Sequence, residues 1–159
     1  MEEQYKTIED NQDYEISNLG NVRNKKTNKI LTHTLTTTGY YEVKLNGKHY
    51  KIHKLIALYF IDNPCNKKCI DHIDRNKLNN DITNLRWCSS SENCKNKTKK
   101  DGCSSKYTGV AKYRNKYESY IWDNYKKHRI GYFNTEEEAY NKRKEYIESL
   151  NNTFYNTNK

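Results

Sequence analysis

Cys69-Ile-Asp-His-Ile-Asp-Arg-Asn76 opens the stretch that decides the fold, and Asn84-Leu-Arg-Trp87 and Ser89-Ser-Ser-Glu-Asn93 follow it. Asp71 and His72 are adjacent; Asn84 follows the histidine by 12 residues and Asn93 by 21. An imidazole can take a proton from water near neutral pH. A carboxylate and an amide oxygen are hard ligands, suited to one Mg²⁺ that keeps most of its waters and holds a phosphate oxygen. A histidine, a carboxylate and two amides are thus the parts needed to cut a phosphodiester.

The local pattern supports that grouping. Lys68 to Ile73 alternates and contains β-branched residues, which predicts a short strand ending near Asp71 and His72. Asp74 to Thr83 is polar and Asn-rich, a loop in which Asp74, Asn76, Asn79 and Asn80 read as loop formers. Leu85 to Cys88 reads as a second strand. Ser89 then stands as N-cap of a helix, with Glu92 three residues on as its capping-box partner and Asn93 in the first turn. A β-loop-β-α unit of this kind can bring a strand end against a helix start.

These residues resemble the HNH endonucleases, in particular the homing type carried by mobile introns, phages and large viruses. The resemblance implies a ββα-metal fold, with His72 as general base and Asp71 and Asn93 as metal ligands. Asn84, the other catalytic-site residue, is implied to brace the loop. The implied cofactor is one divalent cation, Mg²⁺ or Mn²⁺.

Upstream, Tyr41-Glu-Val-Lys-Leu45, Asn46-Gly47 and Lys48-His-Tyr-Lys-Ile52 give a strong hairpin signal. A two-residue turn sets Val43 against Tyr50, Tyr41 against Ile52, and Glu42 against Lys51 as an opposite-charge pair. Tyr14-Glu-Ile-Ser-Asn-Leu-Gly-Asn-Val-Arg23 resembles the NUMOD4 motif found at the front of homing-type HNH nucleases, with Tyr5 where that family usually opens on tryptophan. The resemblance suggests DNA contact, with Arg23, Lys25, Lys26 and Lys29 as candidates. His53 to Ile61 has helical spacing, with Leu55, Ile56, Tyr59 and Phe60 on one face, and Asn63-Pro64 ends it. His53 reads as a structural residue.

Downstream, Asn96 to Lys106 is polar and basic, a linker. Thr108 to Tyr113, Tyr117 to Trp122 and Arg129 to Phe133 read as three short strands with turns at Asn115–Lys116 and Asp123–Lys127. Thr135 and Glu138 form a second capping box, and Ala139, Tyr146, Ile147 and Leu150 are expected on one helical stripe. Gly109-Val110 together with Ile130-Gly-Tyr-Phe-Asn-Thr-Glu-Glu-Glu-Ala-Tyr140 resembles the AP2 DNA-binding domain. That resemblance implies DNA contact by Lys112, Arg114, Lys116, Lys126 and Arg129. In the central stretch Arg86 and Lys95 join the candidates. Trp122 is expected in the core.

The expected architecture is α+β, in modules. Residues 1–52 form a small β-rich NUMOD4-like module, 53–98 the ββα-metal HNH core and 99–106 a basic linker. Residues 107–150 form an AP2-like three-stranded antiparallel sheet with one helix, and 151–159 a tail. The composition agrees with thin modules: 159 residues, 33% apolar, with a mean hydropathy of −1.25. A net charge of +9, spread along the chain, favours a polyanionic partner such as double-stranded DNA.

There is no apolar run near the length of a membrane span and no signal peptide, so no membrane partner is expected. The reading is a soluble intracellular protein of cytoplasm or nucleus, of the kind a virus or mobile element encodes. The five cysteines are an odd number outside a secretory context, which argues for thiols. Cys65-x₃-Cys69 and Cys88-x₅-Cys94 lack the tight spacing of a zinc ribbon, so structural zinc is not expected. One implied active site per chain makes a nick the default, by a monomer or weak dimer. The alternative is a DNA-binding regulator with an inactive HNH fold. A third reading is a zinc-stapled interaction module.

Overall fold

The computed structural model describes residues 2–97, 104–123, 125–151 and 154–155. Most of the expected linker, residues 99–103, lies outside them, as do Cys103 and most of the expected 151–159 tail. The architecture is α+β, in two compact units, residues 1–89 and 90–159. This division falls at neither of the module boundaries expected at 52/53 and 98/99.

In the first unit, β1 (Tyr5–Ile8), β2 (Asn11–Ser17) and β3 (Val22–Asn24) form an antiparallel sheet in that order. The turn after β2 is built by Ser17, whose Oγ accepts from the amides of Asn21 at 2.9 Å and Leu19 at 3.3 Å. Gly20 sits there at φ +88°, with Ile52 Cγ2 3.2 Å from where a Cβ would stand, so a side chain would strain both backbone and core. A second sheet is β4 (Thr34–Leu35), β5 (Tyr41–Leu45) and β6 (Lys48–Lys51). Its hairpin has the expected register, Glu42 with Lys51 and Val43 with Tyr50, around Asn46 and Gly47, both at positive φ.

Two details of this hairpin differ from the sequence expectation. Ile52 opens the helix instead of pairing with Tyr41, and the Glu42–Lys51 charge pair does not form. The Glu42 carboxylate takes the His49 Nδ1 at 2.8 Å, a diagonal neighbour on the ladder that reaches it first.

Helix α1 (Ile52–Phe60) follows β6 with no loop. Its apolar face buries Ile52, Leu55, Ile56 and Ala57, while Leu58 on the other side is 64% exposed. These residues join Ile8, Ile16, Val22, Val43, Leu45 and Leu85 in one core. Full burial of a side chain such as Ile56 contributes about 1.5–3 kcal/mol. Strands β7 (Cys69–His72) and β8 (Leu85–Cys88) pair antiparallel, with Asp71 opposite Arg86 and His72 opposite Leu85. A 3-10 turn, Ile82–Asn84, leads into β8, and the Trp87 indole donates to the Ile61 carbonyl at 3.0 Å. Leu85, in the core beside α1, and Trp87, on the Ile61 carbonyl, therefore tie β8 to α1 and its C-terminal end.

The second unit begins with α2 (Ser90–Lys95). Strands β9 (Val110–Tyr113), β10 (Lys116–Asp123) and β11 (Lys126–Phe133) form an antiparallel sheet with β10 central, and α3 (Glu136–Ser149) follows. The first turn is Arg114–Asn115, with Lys116 already in the strand opposite Tyr113, one residue earlier than the sequence suggests. Arg114 carries the positive φ that this two-residue turn requires. The second turn is tighter than expected, because Asp123 pairs with Lys126. Thr135 caps α3, its Oγ1 accepting from the Glu138 amide at 3.1 Å.

The buried stripe of α3 is Ala139, Tyr140, Arg143 and Ile147. Tyr146 and Leu150, placed on that stripe by sequence, are 39% and 43% exposed. The i, i+4, i+8 progression 139, 143, 147 runs through an arginine, which a count of apolar residues passes over. Trp122, expected in the core, is 54% exposed, because alternation along β10 turns Ile121 inward.

Candidate active site

The β7–β8 hairpin holds the residues singled out by sequence. His72 ends β7 and is 6% exposed. Its Nε2 lies 3.1 Å from Asn80 Oδ1. A tautomer with the proton on Nε2 would donate this bond and leave the Nδ1 lone pair available. Asn80, read from sequence as a loop former, is thus a hydrogen-bond partner of the imidazole. Its only sequence signal was membership of an Asn-rich loop.

Asn84 holds that loop. Its Nδ2 donates to Asp74 Oδ1 at 2.9 Å and to the Asn79 carbonyl at 2.8 Å, and its Oδ1 accepts from the Asp74 amide at 3.0 Å. Asp74 is bound again by the Asn76 amide at 2.8 Å and by Asn79 Nδ2 at 2.7 Å. Burial pushes the Asp74 carboxyl up, but the bonds from Asn79, Asn84 and Asn76, and the nearby His72, outweigh it and hold the carboxyl below its ordinary value. The loop between the strands is thus organised by side-chain bonds to its own backbone.

Asp71 is 5% exposed and pairs with Arg86 across the ladder. Arg86 donates through Nε at 2.9 Å and Nη2 at 2.7 Å, both to Oδ2. Asn93 is half-buried on α2. The boundary between the units falls between Ser89 and Ser90, so Asp71 and Asn93 belong to different units.

His53 and Tyr40 lie against His72, with ring centroids 5.1 and 6.0 Å from it. His53 Nδ1 is buried with no hydrogen-bond partner among the described residues. Burial, with smaller contributions from His72, Lys51 and Lys54, pushes the His53 imidazole down to about 3. A neutral, apolar-packed ring is what that site accommodates.

Of the residues expected to meet DNA, several are held by protein partners. Arg23 pairs with Glu15 at 2.9 Å and covers the Tyr5 ring, Lys25 donates to Thr7 Oγ1 at 3.1 Å, and Lys26 lies 3.5 Å from Asp13. Arg86 belongs to Asp71. Lys95, its side chain 8% exposed, binds Asp123 at 2.6 Å and lies over Tyr155. Burial lowers the Lys95 pKa, yet the Asp123 bond and Tyr155 more than offset it, and the net direction is up. Lys112, Arg114, Lys116 and Lys126 are exposed on the β9–β11 sheet and its turns. Arg129 is exposed too, though its Nε binds the buried Glu118 at 2.9 Å, and Lys127 Nζ binds the same carboxylate at 2.5 Å. Glu118 was not singled out by sequence.

Cys65 and Cys94 are exposed, Cys69 is half-buried and Cys88 is buried. Among the described residues no three or more His, Cys, Asp or Glu side chains gather to hold a metal. A Mg²⁺ bound by one carboxylate, an amide and water needs no such group. No helix among the described residues is long and apolar enough to cross a membrane.

A β-loop-β hairpin ending on an Asp-His pair, with an asparagine bracing its loop, is the arrangement of the HNH nucleases. Comparison with known proteins agrees. Residues 50–95 match the family model described as HNH endonuclease, and residues 3–46 match the NUMOD4 motif. Residues 50–95 are thus similar to an HNH endonuclease module, with a segment similar to the NUMOD4 motif ahead of it.

Among curated relatives, the chain is 40% identical over 90 residues to the uncharacterized HNH endonuclease L245 of Acanthamoeba polyphaga mimivirus. That match covers 54% of this chain and 27% of the relative. It is 35% identical over 107 residues to DNA endonuclease I-HmuI of Bacillus phage SP01, covering 64% of this chain and 62% of the relative. A solved structure described as DNA binding and cleavage by the HNH homing endonuclease I-HmuI matches with a TM-score of 0.52 and 34% identity. It covers 58% of this chain and 56% of that one. The chain thus spans about a quarter of the mimivirus relative and less than two thirds of the phage enzyme.

Proposed function

We propose that the chain is a metal-dependent DNA endonuclease of the homing type that nicks a recognised site. The observation that carries the reading is His72 at the end of β7, its Nε2 bonded to Asn80 on a loop that Asn84 holds by three bonds. The imidazole Nδ1 takes the proton of an attacking water, and Asn80 fixes the tautomer that lets it do so. Water attacks phosphorus, the bond to the 3′-oxygen breaks, and the products are a 5′-phosphate and a 3′-hydroxyl. One His72 per chain cuts one strand.

The donor chemistry fits a hard divalent cation, because Asp71 offers a carboxylate and Asn93 an amide oxygen. Asp71 and Asn93 would hold one Mg²⁺ or Mn²⁺, which when bound offsets phosphate charge and stabilises the leaving oxygen. Arg86 orients Asp71 through its two bonds to Oδ2. Arg23, Lys25 and Lys26 in the first unit are assigned to phosphate contacts. On the second unit the exposed Lys112, Arg114, Lys116, Lys126 and Arg129 are assigned the same role, as on an AP2-like sheet, and extend the footprint.

The test is incubation of purified protein with double-stranded DNA, with Mg²⁺ or Mn²⁺ and with a chelator. The reading predicts nicks only with the metal, and nicks that DNA ligase reseals directly, since ligase needs 5′-phosphate beside 3′-hydroxyl. Cleavage that persists in chelator, or nicks that ligase cannot close, would contradict it.

A further inference from the structure

Three separate segments of the first unit converge beside His72, and each brings a residue that none of the matches assigns. The first is the turn between β4 and β5. The Gly39 amide donates to the Thr36 carbonyl at 2.9 Å, the Thr36 amide to the Tyr40 carbonyl at 2.9 Å, and the Tyr40 amide to Thr36 Oγ1 at 3.0 Å. Gly39 takes φ +79°, the left-handed conformation that closes such a turn. These bonds fix the half-buried Tyr40, whose ring centroid is 4.8 Å from His53 and 6.0 Å from His72.

The second segment is the junction of β6 and α1, which places Lys51 Nζ 4.6 Å from the Tyr40 ring centroid. The third is the loop between β7 and β8, which places Lys77 Nζ 4.8 Å from the same centroid. Lys77 also donates to the Thr38 carbonyl at 2.9 Å, so it joins the β7–β8 loop to the turn that carries Tyr40. One tyrosine ring therefore holds two ammonium groups next to the imidazole.

Neither lysine has a carboxylate within 4 Å among the described residues. Glu42, opposite Lys51 on the ladder, is bonded to His49 instead. This contrasts with Arg23, Lys26, Arg86, Lys95, Lys127 and Arg129, each paired with a carboxylate. A cation held on an aromatic face keeps its full positive charge toward solvent, because the ring quadrupole positions it without neutralising it. Two such cations on one ring suit a polyanion.

We propose that Lys51 and Lys77, carried on Tyr40, bind backbone phosphates of the DNA strand immediately beside the one that His72 serves. The inference rests on the nuclease reading for the meaning of that place, but binding can be measured without cleavage. The pair fixes the strand against the β7–β8 loop, so the scissile phosphate is registered by its neighbours. Sequence reading missed both lysines because they lie 26 residues apart and only the folded path brings both to Tyr40.

The experiment measures affinity for a double-stranded oligonucleotide by fluorescence anisotropy across a range of salt, with a chelator present. Parent, Lys51→Gln, Lys77→Gln and the double variant are all compared in the His72→Ala background. Each phosphate contact contributes about 0.9 to the slope of log affinity against log salt. Each single variant is expected to flatten the slope by about one unit and the double variant by about two. Lys→Arg at either position is expected to restore it.

Slopes unchanged in both single variants, with the fold intact by circular dichroism, would overturn the proposal. A parent that shows no salt-dependent DNA binding would overturn it together with the nuclease reading. A parent that binds DNA and never cuts it would sink the nuclease reading alone, since the slopes still decide whether the two lysines hold phosphates.

Discussion

Asn84→Ala is the perturbation that tests the architecture of the site most severely. It removes the bond from Nδ2 to Asp74 Oδ1 at 2.9 Å, the bond to the Asn79 carbonyl at 2.8 Å, and the acceptor for the Asp74 amide at 3.0 Å. A neutral hydrogen bond contributes about 1 kcal/mol net and one to a charged group about 1.5–3. Asp74 is exposed and rehydrates when its partner is lost, which puts its bond at the low end. Solvent screening takes that bond to about 0.5 kcal/mol, so with two neutral bonds at about 1 kcal/mol each the expected loss is about 2–3 kcal/mol; Asn84 itself is 9% exposed. Urea denaturation followed by circular dichroism reads this directly. With a slope of about 2 kcal/mol per molar the midpoint falls by about 1 M.

Asn84→Asp sharpens the test. It keeps the shape but sets a second carboxylate against Asp74 and the Asn79 carbonyl, so at neutral pH it is expected to be less stable than the alanine. The Asp74 carboxyl is held below its ordinary value in the folded state, so its bonds stabilise the fold above the ordinary carboxylate range. They are lost as pH falls through the folded value. The penalty of both variants is therefore expected to shrink on acidification. A loss below about 0.5 kcal/mol, or an aspartate variant as stable as the parent at neutral pH, would refute the reasoning that these bonds organise the loop.

Arg86→Gln leaves the 5%-exposed Asp71 without its cation and is expected to cost about 3 kcal/mol in denaturation, more than Asp71→Asn, which removes the charge itself. Gly109→Ala is expected to destabilise the second unit. Gly109 sits at φ +73°, and a Cβ there would meet Arg143 Nε and lie 2.6 Å from the Tyr120 carbonyl oxygen. Hydrogen exchange should rise in peptides from 104–151 and stay unchanged in those from 5–89. His53 is expected to keep the NMR signature of a neutral ring down to about pH 4, since its folded pKa is pushed down to about 3. Its contribution to stability is then full above the ordinary value of 6.5 and is lost as pH falls from there toward 3. A His53 that titrates near 6.5 would contradict its burial.

Much of the first unit was legible because its signals are local. Asn46-Gly47 with alternating flanks dictates both the turn and the register of β5 and β6, and the Asp-His, Asn and Glu-Asn spacing located the β7–β8 hairpin. What stayed hidden depends on which side chain arrives at a shared partner. Glu42 faces Lys51 on the ladder, yet His49 takes it and leaves Lys51 to Tyr40. Asn80 was one of several asparagines in a loop, and only the folded path brings it to His72. In α3 the stripe was misassigned because Arg143, 3% exposed, occupies the position that apolar counting skips. Trp122 was misassigned because a large aromatic suggests a core, whereas strand alternation puts Ile121 there.

The central claim is that His72 is the base of a phosphodiester-cutting site. The direct measurement is conversion of supercoiled plasmid carrying the flanking genomic DNA to open circle, with Mg²⁺ or Mn²⁺. It compares the parent with His72→Ala at protein concentrations where gel shift shows equal DNA binding. The account predicts that the parent nicks and that His72→Ala binds without nicking. Equal nicking by both would remove His72 from the chemistry, and equal binding with no nicking by either would favour a DNA-binding regulator with an inactive HNH fold.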